Sequence, residues 1–136
     1  MSDMFDDILN SPVNLSMRHN PVTISPSEPV SGLTYRMVEE DIGAVIVVDQ
    51  ERPIGIITEK DILDRVVVSG EDVYTTRATE VMSEPVISIE ASSPLGEALE
   101  LMRENGIRRL VVVEDGVLVG LVTERRLLAR IANSII

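Results

Sequence analysis

The chain has 136 residues, of which 44% are hydrophobic but only 2% aromatic, so it can bury one domain's core, or that of two small halves, built from Val, Ile, Leu, Met and Ala. With no cysteine and a single histidine, His19, disulfides, thiolate chemistry, Cys-based zinc sites and a His-rich metal centre are excluded. The net charge of −11 disfavours nucleic acid and anionic membrane as partners, so any bound anion must meet a local cluster of cations. The acidic start MSDMFDDILN lacks the basic, then apolar, pattern of a signal peptide. The longest apolar runs, such as residues 44–48, are too short to span a bilayer, and a cytoplasmic protein is expected.

Residues 1–15 read as an acidic N-terminal helix or tail. A short strand is expected over Val22–Ile24. The Ser27-Glu28-Pro29 that follows is a helix-start signal, with proline tolerated in the first turn. Val30, Leu33, Met37 and Val38 then show helical spacing and read as a core face. Ala44–Asp49 and Pro53–Thr58 read as two strands joined by a turn at Gln50-Glu51-Arg52, the first apolar enough to be buried on both faces. A helix begins just after Thr58 and ends near Ser69. Residues 71–79 read as a polar linker, with helical character near Ala78–Met82. The same order then returns: a strand over Val86–Ile89, a Ser92-Ser93-Pro94 helix start, and a stripe of Leu95, Ala98, Leu99 and Met102. Strands Leu110–Glu114 and Leu118–Thr123 flank an Asp115-Gly116 turn, and a closing helix runs to the C-terminus.

The return is in strict register. Gly55 and Gly120 lie 65 positions apart, and the same offset pairs Met17 with Met82, Pro29 with Pro94, Met37 with Met102, Thr58 with Thr123, Leu63 with Leu128 and Arg65 with Arg130, without a gap. Matches in a single register mean an internal duplication. The fold class is α/β (α+β), two β-α-β-β-α repeats over 16–70 and 80–136. One copy is too small to bury its own faces, so the two are expected to pack as a pseudo-two-fold pair.

Gly-Ile-Ile-Thr-Glu-Lys-Asp at 55–61 and Gly-Leu-Val-Thr-Glu-Arg-Arg at 120–126, each after a valine-rich strand and a helix with a late Met, resemble the tandem CBS domain, or Bateman module. The resemblance covers roughly residues 16–136. It implies a regulatory module and no enzyme, an adenosine-containing ligand, a homodimer and an unidentified protein effector. It also implies roles for particular residues. Asp61 takes the ribose hydroxyls and Thr58 approaches the phosphate. Val86, Ile87 and Ser88 lie against adenine. Arg108 and Arg109 meet the phosphate, and Arg125 can join them. Read from the residues alone, Thr58 and Asp61 can equally be a helix cap, and the arginines a solvated cluster.

The duplicate motif carries Arg126, a donor without an acceptor, where the first carries Asp61. Its counterparts of Arg108 and Arg109 are Gly43 and Ala44, which leaves Lys60 as the cation there. One occupied site per chain is therefore expected, with AMP, ADP or ATP favoured over S-adenosylmethionine because the arginines suit a phosphate. The competing reading is a structural dimerisation module without a ligand. No catalytic residue, cofactor or metal is expected, and no P-loop or serine-nucleophile motif is present. His19 and Tyr74 read as surface or packing residues.

Overall fold

A computed structural model describes residues 2–135, and the side chains of 5–135. It divides into two compact units, Pro21–Val86 and Met1–Asn20 with Ile87–Ile136. We call these the first and second units.

The first unit contains β2 (Thr23–Ile24), α2 (Val30–Glu39), β3 (Ala44–Asp49), β4 (Arg52–Thr58), α3 (Glu59–Ile62) and α4 (Ala78–Val81). Its sheet has the order β2-β3-β4, parallel then antiparallel. α3 runs on into a π-helical turn, Leu63–Val67. The second unit contains α1 (Ser2–Asn10), a 3-10 turn (Val13–Ser16), β1 (Arg18–His19), β5 (Ser88–Glu90), α5 (Leu95–Asn105), β6 (Arg109–Glu114), β7 (Val117–Thr123) and α6 (Glu124–Ile135). Its sheet has the order β1-β7-β6-β5. The strand expected at Val86–Ile89 starts two residues later, at Ser88, although the Ile87 carbonyl already accepts the Val111 N–H at 3.2 Å.

Each prolyl helix start holds: Pro29 and Pro94 stand immediately before α2 and α5, with extended backbone. Proline's fixed φ and missing N–H cost nothing there. The buried face of α2 is Val30, Leu33 and Met37, whereas Val38 is 76% exposed, contrary to the core role expected of it. One residue past Met37 is 100° further round the helix, off the buried stripe. In α5, Leu95, Ala98 and Met102 are buried and Leu99 half-buried. Ala44–Val47 and Leu110–Val113 are buried at every position, as consecutive apolar residues on a strand require.

The two units are built alike down to irregularities. Both hairpins shift register at the same repeat position, between Val47 and Val48 and between Val112 and Val113. The Asp115-Gly116 turn has positive φ at both residues, 52° and 81°, the mirror-image turn that suits hairpin twist.

The segment before each repeat is part of the architecture. In the second unit, Arg18 and His19 pair with Leu121 and Gly120, which makes β1 an edge strand. In the first, Ser83 bridges Ile56 at the equivalent place, with its N–H donating to the Ile56 carbonyl at 2.9 Å. Met17 then lies over Gly120 and Met82 over Gly55. A Cβ at Gly55 would lie 2.8 Å from Met82 Cγ, and one at Gly120 3.0 Å from the Arg18 carbonyl oxygen, so glycine is needed at both. The correspondence extends into residues expected as a tail and a linker: the Val13 N–H donates to Ser93 O at 2.7 Å, and the Ala78 N–H to Glu28 O at 2.9 Å.

The core of the second unit joins Ile8, Val13 and Met17 to Leu95, Met102, Leu110 and Leu127. That of the first gathers Leu33, Met37, Val45, Val47, Ile57, Val81 and Met82. His19, expected as a surface or packing residue before the first strand, is exposed and itself within a strand, and Tyr74 is exposed.

Candidate functional site

β4 ends at Thr58 and α3 begins at Glu59, so the end of the G-h-h-T-x-x-D motif is a strand-to-helix junction. Thr58 is extended, with φ −107° and ψ 169°, and caps the helix. The Thr58 N–H donates to Asp61 Oδ2 at 2.9 Å and its hydroxyl donates to the same oxygen at 3.1 Å. The Asp61 N–H donates back to Thr58 Oγ1 at 3.3 Å. This reciprocal box satisfies donors that the first helical turn leaves over, and it places the carboxylate where the helix dipole favours a negative charge.

The other carboxylate oxygen is held from a distant segment. Ser83 Oγ donates to Asp61 Oδ1 at 3.3 Å, and Arg65 Nε stands 3.8 Å from it. Arg65 Nη1 in turn donates to the carbonyls of Val81 and Met82 at 2.9 and 2.8 Å. Asp61 is thereby fixed on both oxygens, its side chain only 12% exposed. Sequence reasoning missed Ser83 and noted Arg65 only as a repeat match. Arg65 was findable as the cation four residues after Asp61 on a helix. Ser83, 22 positions away, had no such signal.

On the outer face of α3, Lys60 Nζ donates to Asp64 Oδ2 at 2.7 Å. That hydrogen bond, and then the charge of Asp64, raise the lysine's pKa above its usual 10.5.

The duplicate junction, between β7 and α6, has the same backbone and a different chemistry. The Glu124 N–H donates to Arg108 O at 2.9 Å, as the Glu59 N–H donates to Gly43 O at 3.1 Å. Arg109 faces Thr123 across the β6–β7 ladder, as Ala44 faces Thr58. The Arg126 N–H donates to Thr123 Oγ1 at 3.1 Å, but the Arg126 side chain has no acceptor with which to return the bond. Arg108, Arg125 and Arg126 are exposed and Arg109 half-buried, and none of the four forms an ion pair among the described residues.

The structure thus brings Thr58 and Asp61 together in the first unit; in the second, Arg109 lies opposite Thr123 on the β6–β7 ladder and Arg125 is exposed in the first turn of α6. Of the residues expected against adenine, Val86 closes the first unit. Ile87 packs on the second unit's core, and Ser88 is exposed on β5, opposite Val111. No group of three or more His, Cys, Asp or Glu suited to a metal ion occurs among the described residues. No helix among them is long and apolar enough to cross a membrane.

A duplicated β-α-β-β-α unit with a threonine-capped helix after the closing strand defines a tandem repeat module, and comparison with known proteins agrees. The CBS domain family matches residues 11–68 and 78–133. The chain belongs to the CBS domain family, as a tandem pair. It is 42% identical over 113 residues to an uncharacterized protein of Methanopyrus kandleri, covering 82% of this chain and 58% of that one, so it spans little more than half of that relative. The crystal structure of Hypoxic Response Protein I with two coordinated zinc ions is 29% identical, covers 88% of this chain and 98% of that one, and superposes with a TM-score of 0.80. A CBS domain protein from Pyrobaculum aerophilum complexed with AMP shares the fold at 24% identity, covering 90% and 98%, with a TM-score of 0.78.

Proposed function

We propose that the chain is a non-catalytic sensor that binds one adenine nucleotide (AMP, ADP or ATP) through Thr58 and Asp61 and transmits occupancy to a dimer mate or partner protein. The observation that carries this reading is the contrast at one repeat position. The first unit holds a carboxylate, pre-oriented on both oxygens. The second offers an arginine there, and neither it nor Arg108, Arg109 or Arg125 forms an ion pair among the described residues. A ribose diol would replace the Ser83 hydroxyl on Asp61 Oδ1, and Arg108 and Arg109, with Arg125, would neutralise the phosphate as the family resemblance implies. Val86, Ile87 and Ser88 would take the adenine. The AMP-bound fold relative shows that a CBS protein can hold such a ligand.

A thermal-shift panel with AMP, ADP, ATP and S-adenosylmethionine tests this. One nucleotide, at about 100 times its dissociation constant, should add roughly 2.7 kcal/mol. Asp61→Asn should abolish the gain and Arg126→Ala should keep most of it. A second reading is favoured by one fact: both Asp61 oxygens are already bonded within the chain, so capping alone explains the residue. If no compound stabilises the wild type, the chain is a structural dimerisation module. The strongest stabilisation coming from S-adenosylmethionine would instead replace the phosphate assignment.

Self-association is proposed from a repeated exposure. Leu63 and Leu128 occupy the same repeat position, are 57% and 63% exposed, and in the first unit Val38 and Val67 add to the surface. Apolar side chains left out at matching places suit a symmetric partner. Light scattering should show a dimer, and Leu63→Glu with Leu128→Glu should shift it to monomer.

A further inference from the structure

We propose that the second unit carries a separate oxyanion pocket, built on α6, that takes a phosphate group, free or as the end of a small phosphorylated metabolite. A cavity of about 290 Å³ lies there, walled by Leu15 and Ser16 from the 3-10 turn and by Arg126, Ala129, Arg130 and Asn133 from α6. Arg126, Arg130 and Asn133 follow one another at four and three residues, so their donors line one helix face. Ala129 between them is small and leaves the space open.

Charge is the first argument. Two guanidiniums four residues apart on a helix repel each other unless something between them is negative. Neither Arg126 nor Arg130 forms an ion pair among the described residues, in a chain whose net charge is −11. A dianionic phosphate relieves that repulsion and can be bonded in bidentate fashion. The second argument is independent of charge. Ser16, a pocket-lining residue only 7% exposed, has a buried hydroxyl with no hydrogen-bond partner among the described residues, and a rotation about its Cα–Cβ bond is what would turn that donor toward a bound oxyanion.

The duplicate provides an internal control. The positions matching Arg126, Ala129 and Asn133 are Asp61, Asp64 and Val68, and Arg65, which matches Arg130, is consumed by Asp61 and the carbonyls of Val81 and Met82. Two acids became Arg126 and Ala129, or the reverse. The change emptied one face of carboxylates and freed Arg130. The same substitution that removes a ribose acceptor from this unit supplies an anion donor.

The test titrates inorganic phosphate, and separately glycerol 3-phosphate, into the full chain, by calorimetry and by 31P line width, against sodium chloride at equal ionic strength. Saturable binding beyond chloride is expected in the wild type and equally in Asp61→Ala. Arg126→Ala with Arg130→Ala should weaken it at least tenfold, and Arg126→Gln alone measurably. Tighter glycerol 3-phosphate binding would point to a metabolite, and equal binding to free phosphate; both support the pocket. The proposal is overturned if phosphate does no more than chloride or if the double variant binds as well as the wild type. It is also overturned if Asp61→Ala or Arg108→Ala with Arg109→Ala abolishes binding, which would place the phosphate in the proposed nucleotide site.

Discussion

Asp61 shows how much local structure one carboxylate can hold. Its carboxylate receives the Thr58 N–H and hydroxyl on one oxygen and the Ser83 hydroxyl on the other. Hydrogen bonds to a charged group contribute about 1.5–3 kcal/mol, and a buried donor left without its acceptor costs about 1–3 kcal/mol. Asp61→Ala should therefore lower stability by about 2 kcal/mol with no ligand present, whereas Arg126→Ala, at the same repeat position, should change it by no more than about 0.5 kcal/mol. Urea denaturation of both variants measures the difference. Equal values would mean that the bonds around Asp61 contribute nothing net. The result also fixes the baseline for ligand experiments: any loss of nucleotide response in Asp61→Ala has to be read against its own lower ligand-free midpoint, which is why Asp61→Asn is the better probe.

At the scale of elements, the two hairpins solve one problem with different residues. The β6–β7 turn uses Asp115 and Gly116. The β3–β4 turn places Gln50 and Glu51 at φ 52° and 68°, where neither side chain is comfortable. A left-handed backbone costs an ordinary residue about 1–2 kcal/mol, partly offset by the greater freedom glycine has when unfolded. Glu51→Gly, which copies the second hairpin, should thus stabilise by about 0.5–1 kcal/mol, read as a higher denaturation midpoint at unchanged slope; no gain would mean the turn is relaxed as it stands. These hairpins also mark the limit of what the sequence could disclose. Asp-Gly between apolar runs specifies its turn type, while Gln50-Glu51 betrays a turn only through the runs around it. The strands β3, β4, β6 and β7 were legible because their apolar runs are long. β1 was not, since Arg18 and His19 are polar, exposed and held by backbone pairing to β7. The Thr58–Asp61 pair was legible from its spacing and the repeat. The Ser83 contact was not, because it depends on a bridge to Ile56 that no local pattern encodes.

At the scale of the whole molecule, spatial units and sequence repeats part company. The second unit is completed by the first twenty residues: β1 forms its sheet edge, and Ile8, Val13 and Met17 sit in its core with Leu95, Met102 and Leu127. Burying a large apolar side chain contributes about 1.5–3 kcal/mol, so these three together supply roughly 5–9 kcal/mol as an upper estimate. That is comparable with the net stability of an entire domain, about 5–15 kcal/mol. Deleting residues 1–20 should accordingly unfold the second unit rather than trim it. Native-state hydrogen exchange on a chain of residues 21–136 would register this as lost protection along β5, β6 and β7 while β3 and β4 stay protected. Were residues 1–20 an appendage, β6 and β7 would exchange as slowly as in the full chain. The duplication makes the comparison internal, because Val73, Ala78 and Met82 pack on the first unit's core at the matching places and remain in the shortened chain.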